Sequence, residues 1–361
     1  MRQFLILAIS LLTLAAQAQT DYVIEEIAAG LDEPWSVAFL PNGGYLVSMR
    51  GGELHRISDT GEISPPLSGV PETLYHGQGG FFDIVLDPDF NTNQTVYLAF
   101  AHGHRKANAT RVIRATLGDA GLTDSEAIFT TNAPKDTGAH YGGRIAFLAD
   151  GSMLVTTGDG FQYRDAAQDP SNEMGKVVRI NRDGSVPTDN PFIGDDQNDD
   201  RVYSYGHRNP QGLAVANDGT IYLHEHGPKG GDEVNVIKAG ENYGWPAATY
   251  GVNYSGARVS PHETLPGMVD GIKVWVPSIA PSGLAVYERD QFAEWQGNLL
   301  VGALAAGGVR RLELQDGKVT AEHNAFPEIT ARVRDVRVSE DGSIYVLTDG
   351  KSGKLYRVSK S

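Results

Sequence analysis

Four positions fall into register when the chain is measured against its own turns. Asp89, Gly151 and Gly219 each lie eleven positions after a polar residue, namely Gln78, His140 and Arg208. Ten positions before Gly342 stands Arg332, with Arg334 two residues further on. Glycines surround most of these positions, as in His76-Gly77-Gln78-Gly79-Gly80 and His140-Tyr141-Gly142-Gly143. His207-Arg208-Asn209-Pro210-Gln211-Gly212 has the same character. Glycine permits close approach of a flat ligand, although it also serves ordinary turns. In a closed array of repeats, equal phase predicts equal height along the axis. These side chains are therefore expected to converge on one face, where rigid scaffolds carry their sites. Three arginines in one place suit a multiply anionic ligand, since guanidinium forks bind carboxylate or phosphate in bidentate fashion. His140 is the natural general base, because imidazole titrates near neutrality.

A second chemical candidate is His224-Glu225-His226-Gly227-Pro228-Lys229-Gly230-Gly231-Asp232-Glu233. Two histidines beside carboxylates could hold zinc. A Gly-Pro turn that exposes carbonyls, with Asp232 and Glu233 adding carboxylates, suits Ca²⁺. Residue chemistry alone leaves both open, and His224 also fits simple packing in the alternating run Ile221-Tyr222-Leu223-His224. The acidic run Asp195–Asp200 lacks the spacing and central glycine of an EF-hand loop and reads as a solvated loop.

These residues must be positioned by a repeated element. An apolar run, a turn containing Asp, Asn or Gly, and a β-rich run recur six times. The copies begin near Trp35, Phe82, Arg144, Gly212, Gly283 and Asp335. Period-2 alternation around Asp-Gly and Asn-Gly is the hairpin signal, and no long stretch shows a 3.6-residue period. Six hairpin units predict an all-β, six-bladed β-propeller of four-stranded antiparallel blades.

Bulk composition narrows the function. Arg2, the apolar run Phe4–Ala16 and Ala16-Gln17-Ala18 read as a signal peptide spanning residues 1–18, leaving one propeller domain over 19–361. The chain carries a formal charge of −15, which becomes −16 once Arg2 is removed. Such an acidic protein is a poor partner for nucleic acid or anionic membranes, and the apolar run is too short for stable membrane insertion. With no cysteine, disulfides, thiol nucleophiles and thiolate metal sites are excluded.

With these segments assembled in order, the sequence resembles the soluble aldose sugar dehydrogenases that use pyrroloquinoline quinone (PQQ), relatives of soluble quinoprotein glucose dehydrogenase. The most specific matches are Arg208-Asn209-Pro210-Gln211-Gly212 and Glu225-His226-Gly227-Pro228 through Asp232-Glu233. Trp35–Val37, Asn242–Pro246, Asn253–Gly256 and Arg332–Asp335 add to them. The resemblance implies His140 as the base and Gln78, Arg208, Asn209, Tyr254, Arg332 and Arg334 as PQQ contacts. It implies backbone contacts from the segment containing Ala303 and Ala305. Gly227 and Pro228 match a turn whose carbonyls hold PQQ-bound Ca²⁺, and Glu233 with Tyr243 matches a second calcium site. The implied reaction oxidises an aldose to its lactone in the periplasm or outside the cell, with an external electron acceptor. One departure concerns Ala305, where relatives often carry a lysine. Alternatives on the same scaffold are a metal-dependent lactonase and a non-enzymatic binding propeller.

Overall fold

The computed structural model describes residues 21–361. The expected signal peptide lies outside the described residues. Among the described residues, 23 strands form six antiparallel sheets, and helix is confined to three short turns. Blade 1 contains Pro34–Phe39, Tyr45–Met49 and Glu53–Ile57, extended by a single bridge between Ile57 and Ile63. Blade 2 contains Phe81–Leu86, Thr95–His104, Ala107–Leu117 and Leu122–Thr130. Blade 3 contains Gly142–Phe147, Met153–Thr157, Lys176–Ile180 and Val202–Tyr205. Blade 4 contains Pro210–Val215, Ile221–Glu225, Asp232–Ile237 and Lys273–Trp275. Blade 5 contains Pro281–Val286, Leu299–Ala303, Val309–Gln315 and Lys318–Asn324. Blade 6 joins Val333–Val338, Ile344–Thr348 and Gly353–Lys360 to the first strand of the fold, Tyr22–Leu31.

The first strand of each of blades 1 to 6 touches the first strand of the next, and that of blade 6 returns to blade 1. This closed ring is the predicted six-bladed propeller. The strand Tyr22–Leu31 runs antiparallel to Gly353–Lys360, with Tyr22 opposite Lys360, so both ends of the fold share one sheet. Apolar residues from facing blades fill the space between sheets. Phe82, Tyr97, Tyr141 and Val155, for example, pack together between blades 2 and 3. Burying each such large side chain contributes about 1.5–3 kcal/mol.

Two features place the site. Every inner strand has a register break against its neighbour near the same end, as between Pro34 and Ser36, Phe81 and Ile84, and Val333 and Asp335. Bulges re-aim side chains and bend the strand. Here they turn the segments bearing Gln78, His140, Arg208 and Arg332 over one end of the axis. Below that end the axis is closed by charge pairing. Arg144, 3% exposed, pairs with Asp335 at 3.0 Å, and Arg337 pairs with Asp83 at 2.7 Å and with Asp335 at 2.8 Å. Ser36 Oγ donates to Asp83 at 2.6 Å. Two arginines against two aspartates leave no net charge, which is what burial at the axis demands.

Candidate functional site

The axial end opens into a cavity of about 430 Å³, lined among others by Trp35, Gln78, Asn209, His226, Arg332 and Arg334. That volume suits a small organic ligand. Trp35 is backed by the Arg144 guanidinium, 4.1 Å from the ring centroid. Arg334 Nη2 and Arg332 Nη2 bond the Asp349 carboxylate at 2.8 and 3.0 Å. Burial would raise the Asp349 pKa, but Arg334 and Arg332 together hold it below the usual carboxylate range. One carboxylate thus braces two guanidinium groups, leaving the cavity wall cationic.

His140 lies directly behind this wall. Its backbone N–H donates to Gln78 Oε1 at 2.8 Å, and Tyr141 and Gly142, next along the chain, line the cavity. Its Nδ1 bonds Asp159 Oδ1 at 2.6 Å, with the carboxylate fully buried. Trp245 Nε1 donates to Asp159 Oδ2 at 2.7 Å, and the Phe161 N–H donates to Oδ1 at 2.7 Å. These bonds fix the carboxylate and with it the tautomer: Nδ1 keeps its proton and Nε2 is left as the basic nitrogen. Burial pushes the imidazole pKa down, Asp159 opposes this, and Arg208 and His226 add to the depression. The ring is therefore neutral at neutral pH, as a base must be. His140 adopts φ +51°, a left-handed conformation uncommon outside glycine. Gly158 faces it so closely that a Cβ there would lie 2.3 Å from the His140 carbonyl oxygen.

Arg208 joins the same group from blade 4. Its guanidinium stands 5.3 Å from the Trp245 ring centroid, and Nη1 donates to the carbonyls of His226 and Gly227 at 3.0 and 2.8 Å. Glu225 accepts from the Arg208 backbone N–H and from His207 Nδ1, at 2.5 and 2.8 Å.

The remaining candidates divide. Tyr254, Ala305 and Pro228 line a neighbouring apolar cavity of about 550 Å³ together with Lys229. It adjoins the first one, because Leu304 and Ala280 line one cavity while Ala305 and Ser278 line the other. Ala303 is buried and its N–H bonds the Gly308 carbonyl, so its neighbour Leu304 faces the cavity instead. Glu233 pairs in register with Glu225 on the adjacent strand. Its pKa is pushed well up by burial and by the nearby Glu225, Asp270 and Asp232 carboxylates. Tyr243 is buried, stacks on His207 at 4.8 Å, and spends its hydroxyl on Lys238 N–H and Val236 O. In the zinc alternative one nitrogen of each ring is already engaged: His224 Nε2 and His226 Nε2 bond the carbonyls of Gly283 and Pro281. Among the described residues no cluster of three His, Asp or Glu side chains is arranged around a metal position.

Asp159, Asp349 and Arg50 were not singled out from the sequence, and Glu225 was named only as part of the His224–Glu233 segment. Each stands at or just beyond the end of the second strand of its blade, and each braces a residue or loop of the site. Arg50, for instance, donates to the Gly77 carbonyl beside Gln78 at 2.7 Å. Counting forward to the second strand's end, as well as back from the turn, was the available signal.

Fold and site together define a propeller with an axial, cationic cavity and a neutral buried imidazole beside it. Residues 31–357 match the Glucose / Sorbosone dehydrogenase family. The chain belongs to that family. It is 40% identical over 343 residues to the aldose sugar dehydrogenase YliI of Escherichia coli, covering 93% of this chain and 92% of that protein. It is 27% identical over 405 residues to quinoprotein glucose dehydrogenase B of Acinetobacter calcoaceticus, covering 90% of this chain and 84% of that protein. The apo-form structure of the Escherichia coli aldose sugar dehydrogenase superimposes with a TM-score of 0.90 at 40% identity, covering 94% of this chain and 100% of that chain. The PQQ-bound aldose sugar dehydrogenase of Streptomyces coelicolor gives 0.77 at 28%, covering 94% and 99%.

Proposed function

We propose that this chain oxidises aldose sugars at the anomeric carbon to lactones, with PQQ as its cofactor and Ca²⁺ as its metal. The observation that carries this reading is the juxtaposition of the Arg332–Arg334 wall with the His140–Asp159 pair. PQQ is a flat quinone bearing three carboxylates, and the fit is chemical: braced guanidinium groups, an amide at Asn209 and another at Gln78. When bound, PQQ supplies the two-electron acceptor. Arg332, Arg334 and Asn209 would hold its carboxylates, and Gln78 accepts from the His140 backbone N–H beside them. Nε2 of His140 takes the proton of the anomeric hydroxyl. Asp159 stabilises the resulting imidazolium.

The donor chemistry also suits a hard cation. Burial and the Glu225, Asp270 and Asp232 carboxylates act on Glu233 with no positive group beside it among the described residues to offset them, and Glu233 would supply oxygens to Ca²⁺. The Gly227 carbonyl is already engaged by Arg208, so a calcium ion at the Gly227–Pro228 turn would have to share it. Cationic lining favours an anionic cofactor over the lactonase alternative, which needs metal-bound water and has no use for converging arginines. Export to the periplasm or beyond follows from reading residues 1–18 as a signal peptide. No helix among the described residues is long and apolar enough to cross a membrane.

The test is reconstitution. Metal-stripped protein receives PQQ with and without Ca²⁺, and dye reduction is followed with a panel of aldoses. Sugar-dependent reduction requiring both additions supports the proposal; absence of PQQ binding at tens of micromolar overturns it.

A further inference from the structure

Lys135 is a buried cation that the reaction above does not use. It is 5% exposed, and no carboxylate pairs with it within ion-pair distance among the described residues. Its Nζ donates to the carbonyls of Thr137 and Ala139 at 2.9 and 2.8 Å and stands 3.3 Å from the Tyr141 ring centroid. One ammonium therefore grips the chain on both sides of His140. Its backbone is anchored in turn, exchanging N–H···O bonds of 2.8 and 2.9 Å with Asn108, whose Oδ1 accepts from the Tyr141 hydroxyl at 2.8 Å. Close packing sets its path: a Cβ on Gly160 would lie 2.8 Å from Lys135 Cδ. The gripped turn carries two more links to the site. The Gln78 N–H donates to the Gly138 carbonyl at 2.6 Å, and Thr137 Oγ1 donates to the Gly160 carbonyl at 2.6 Å, next to Asp159.

An ammonium in this place is costly. Burial pushes its pKa down to about 7, with Asp159 opposing. A left-handed histidine is also strained, and persists only where its surroundings hold it. We infer that Lys135 is a positioning residue for His140: by tying Thr137 and Ala139 it fixes the backbone from which the imidazole meets Asp159. This rests on reading His140 as the base.

The test is Lys135→Met, which keeps volume and removes the donors, in the PQQ- and Ca²⁺-loaded protein. The expected result is a kcat lower by about 10- to 100-fold, the scale of a small misplacement at a reacting centre. KM for the aldose and Kd for PQQ, read by cofactor absorbance, stay within about threefold, as expected when ground-state contacts are untouched. In the cofactor-free protein, the deshielded Nδ1 proton of the short His140–Asp159 bond shifts upfield on proton NMR. Lys135→Gln, which retains N–H donors on a shorter stem, lies between the two and carries the same comparison if the Met variant fails to fold. Because the chain has no cysteine, Lys135→Cys can be aminoethylated at one position to rebuild the lysine, and the resonance and kcat should return. An unchanged resonance and kcat in folded Lys135→Met overturn the inference. A shifted resonance with full turnover in His140→Gln would uphold the positioning and sink the base assignment instead.

Discussion

Replacing Asp159 by Asn keeps the shape and removes the charge. The carboxylate accepts three hydrogen bonds, from His140 Nδ1, Phe161 N–H and Trp245 Nε1. An amide cannot accept all three. With its oxygen toward His140 and Phe161, its NH₂ confronts the Trp245 donor. Flipped, its NH₂ confronts the Phe161 N–H and forces the proton of His140 onto Nε2, where a base is needed. The electrostatic part can be sized separately. Two unit charges about 4 Å apart at an effective dielectric of about 20 attract by roughly 4 kcal/mol. Losing that from the imidazolium formed during turnover lowers kcat by roughly three orders of magnitude, at about 1.4 kcal/mol per tenfold. The pH profile supplies a second signature. Without the anion the imidazolium is less stable, the His140 pKa falls further, and the acid limb of log kcat moves to lower pH on a lower plateau. Steady-state dye reduction at saturating aldose from about pH 5 to 9 measures both, with PQQ occupancy checked by absorbance. Turnover within about fivefold of wild type, or an acid limb moving upward, would refute the assigned roles of His140 and Asp159.

Arg334→Leu should weaken PQQ binding by about 10- to 100-fold in an absorbance titration, since a charge-assisted hydrogen bond contributes about 1.5–3 kcal/mol. Unaltered affinity would remove Arg334 from the cofactor wall. Chelation should lower Tm by a few degrees, because a ligand at a hundredfold excess over its Kd stabilises by about 2.7 kcal/mol; the shift should be absent in Glu233→Gln if Glu233 holds the ion. Glu173 is fully buried and its pKa is raised to about 8, mainly by burial. The native state then binds more protons than the unfolded state between about 4.5 and 8, so its contribution to stability falls as pH rises through that window. Glu173→Gln should flatten the decline of Tm between pH 5 and 7, and parallel curves for the two proteins would refute the shift.

The ring and the face carrying the site were legible because both depend on periodicity. Turn-centred hairpins repeat, and the polar residues ten or eleven positions before the turns share a phase that the bulged strand ends translate into one location. Gln78, Asn209, Arg332 and Arg334 line one cavity, with His140 and Arg208 behind it. What periodicity does not encode is how neighbouring side chains divide the space. Ala303 and Leu304 are adjacent in sequence, yet Ala303 closes its strand fully buried while Leu304, just past the strand end, lines the cavity. Tyr254 and Ala305 fall into an annex separated from the arginines by a contact between Leu304 N–H and the Ala280 carbonyl. Asp159 was passed over because its importance comes from partners far along the chain, Trp245 above all, and no local pattern announces such a partner. The zinc alternative turned on His224 and His226, whose Nε2 atoms bond carbonyls of blade 5, an element distant in sequence.

The sixth sheet has a consequence in time. Tyr22–Leu31 is synthesised first and Gly353–Lys360 last, on the order of tens of seconds later at ordinary rates of translation. Until the two strands pair, the earlier one is an unsatisfied edge, a template for any passing chain. It carries Glu25 and Glu26, both exposed, and in the closed ring Glu26 meets Lys354 at 2.8 Å. Before closure both carboxylates repel a second copy of the strand, so Glu26, which meets Lys354 across the closure, also guards the open edge.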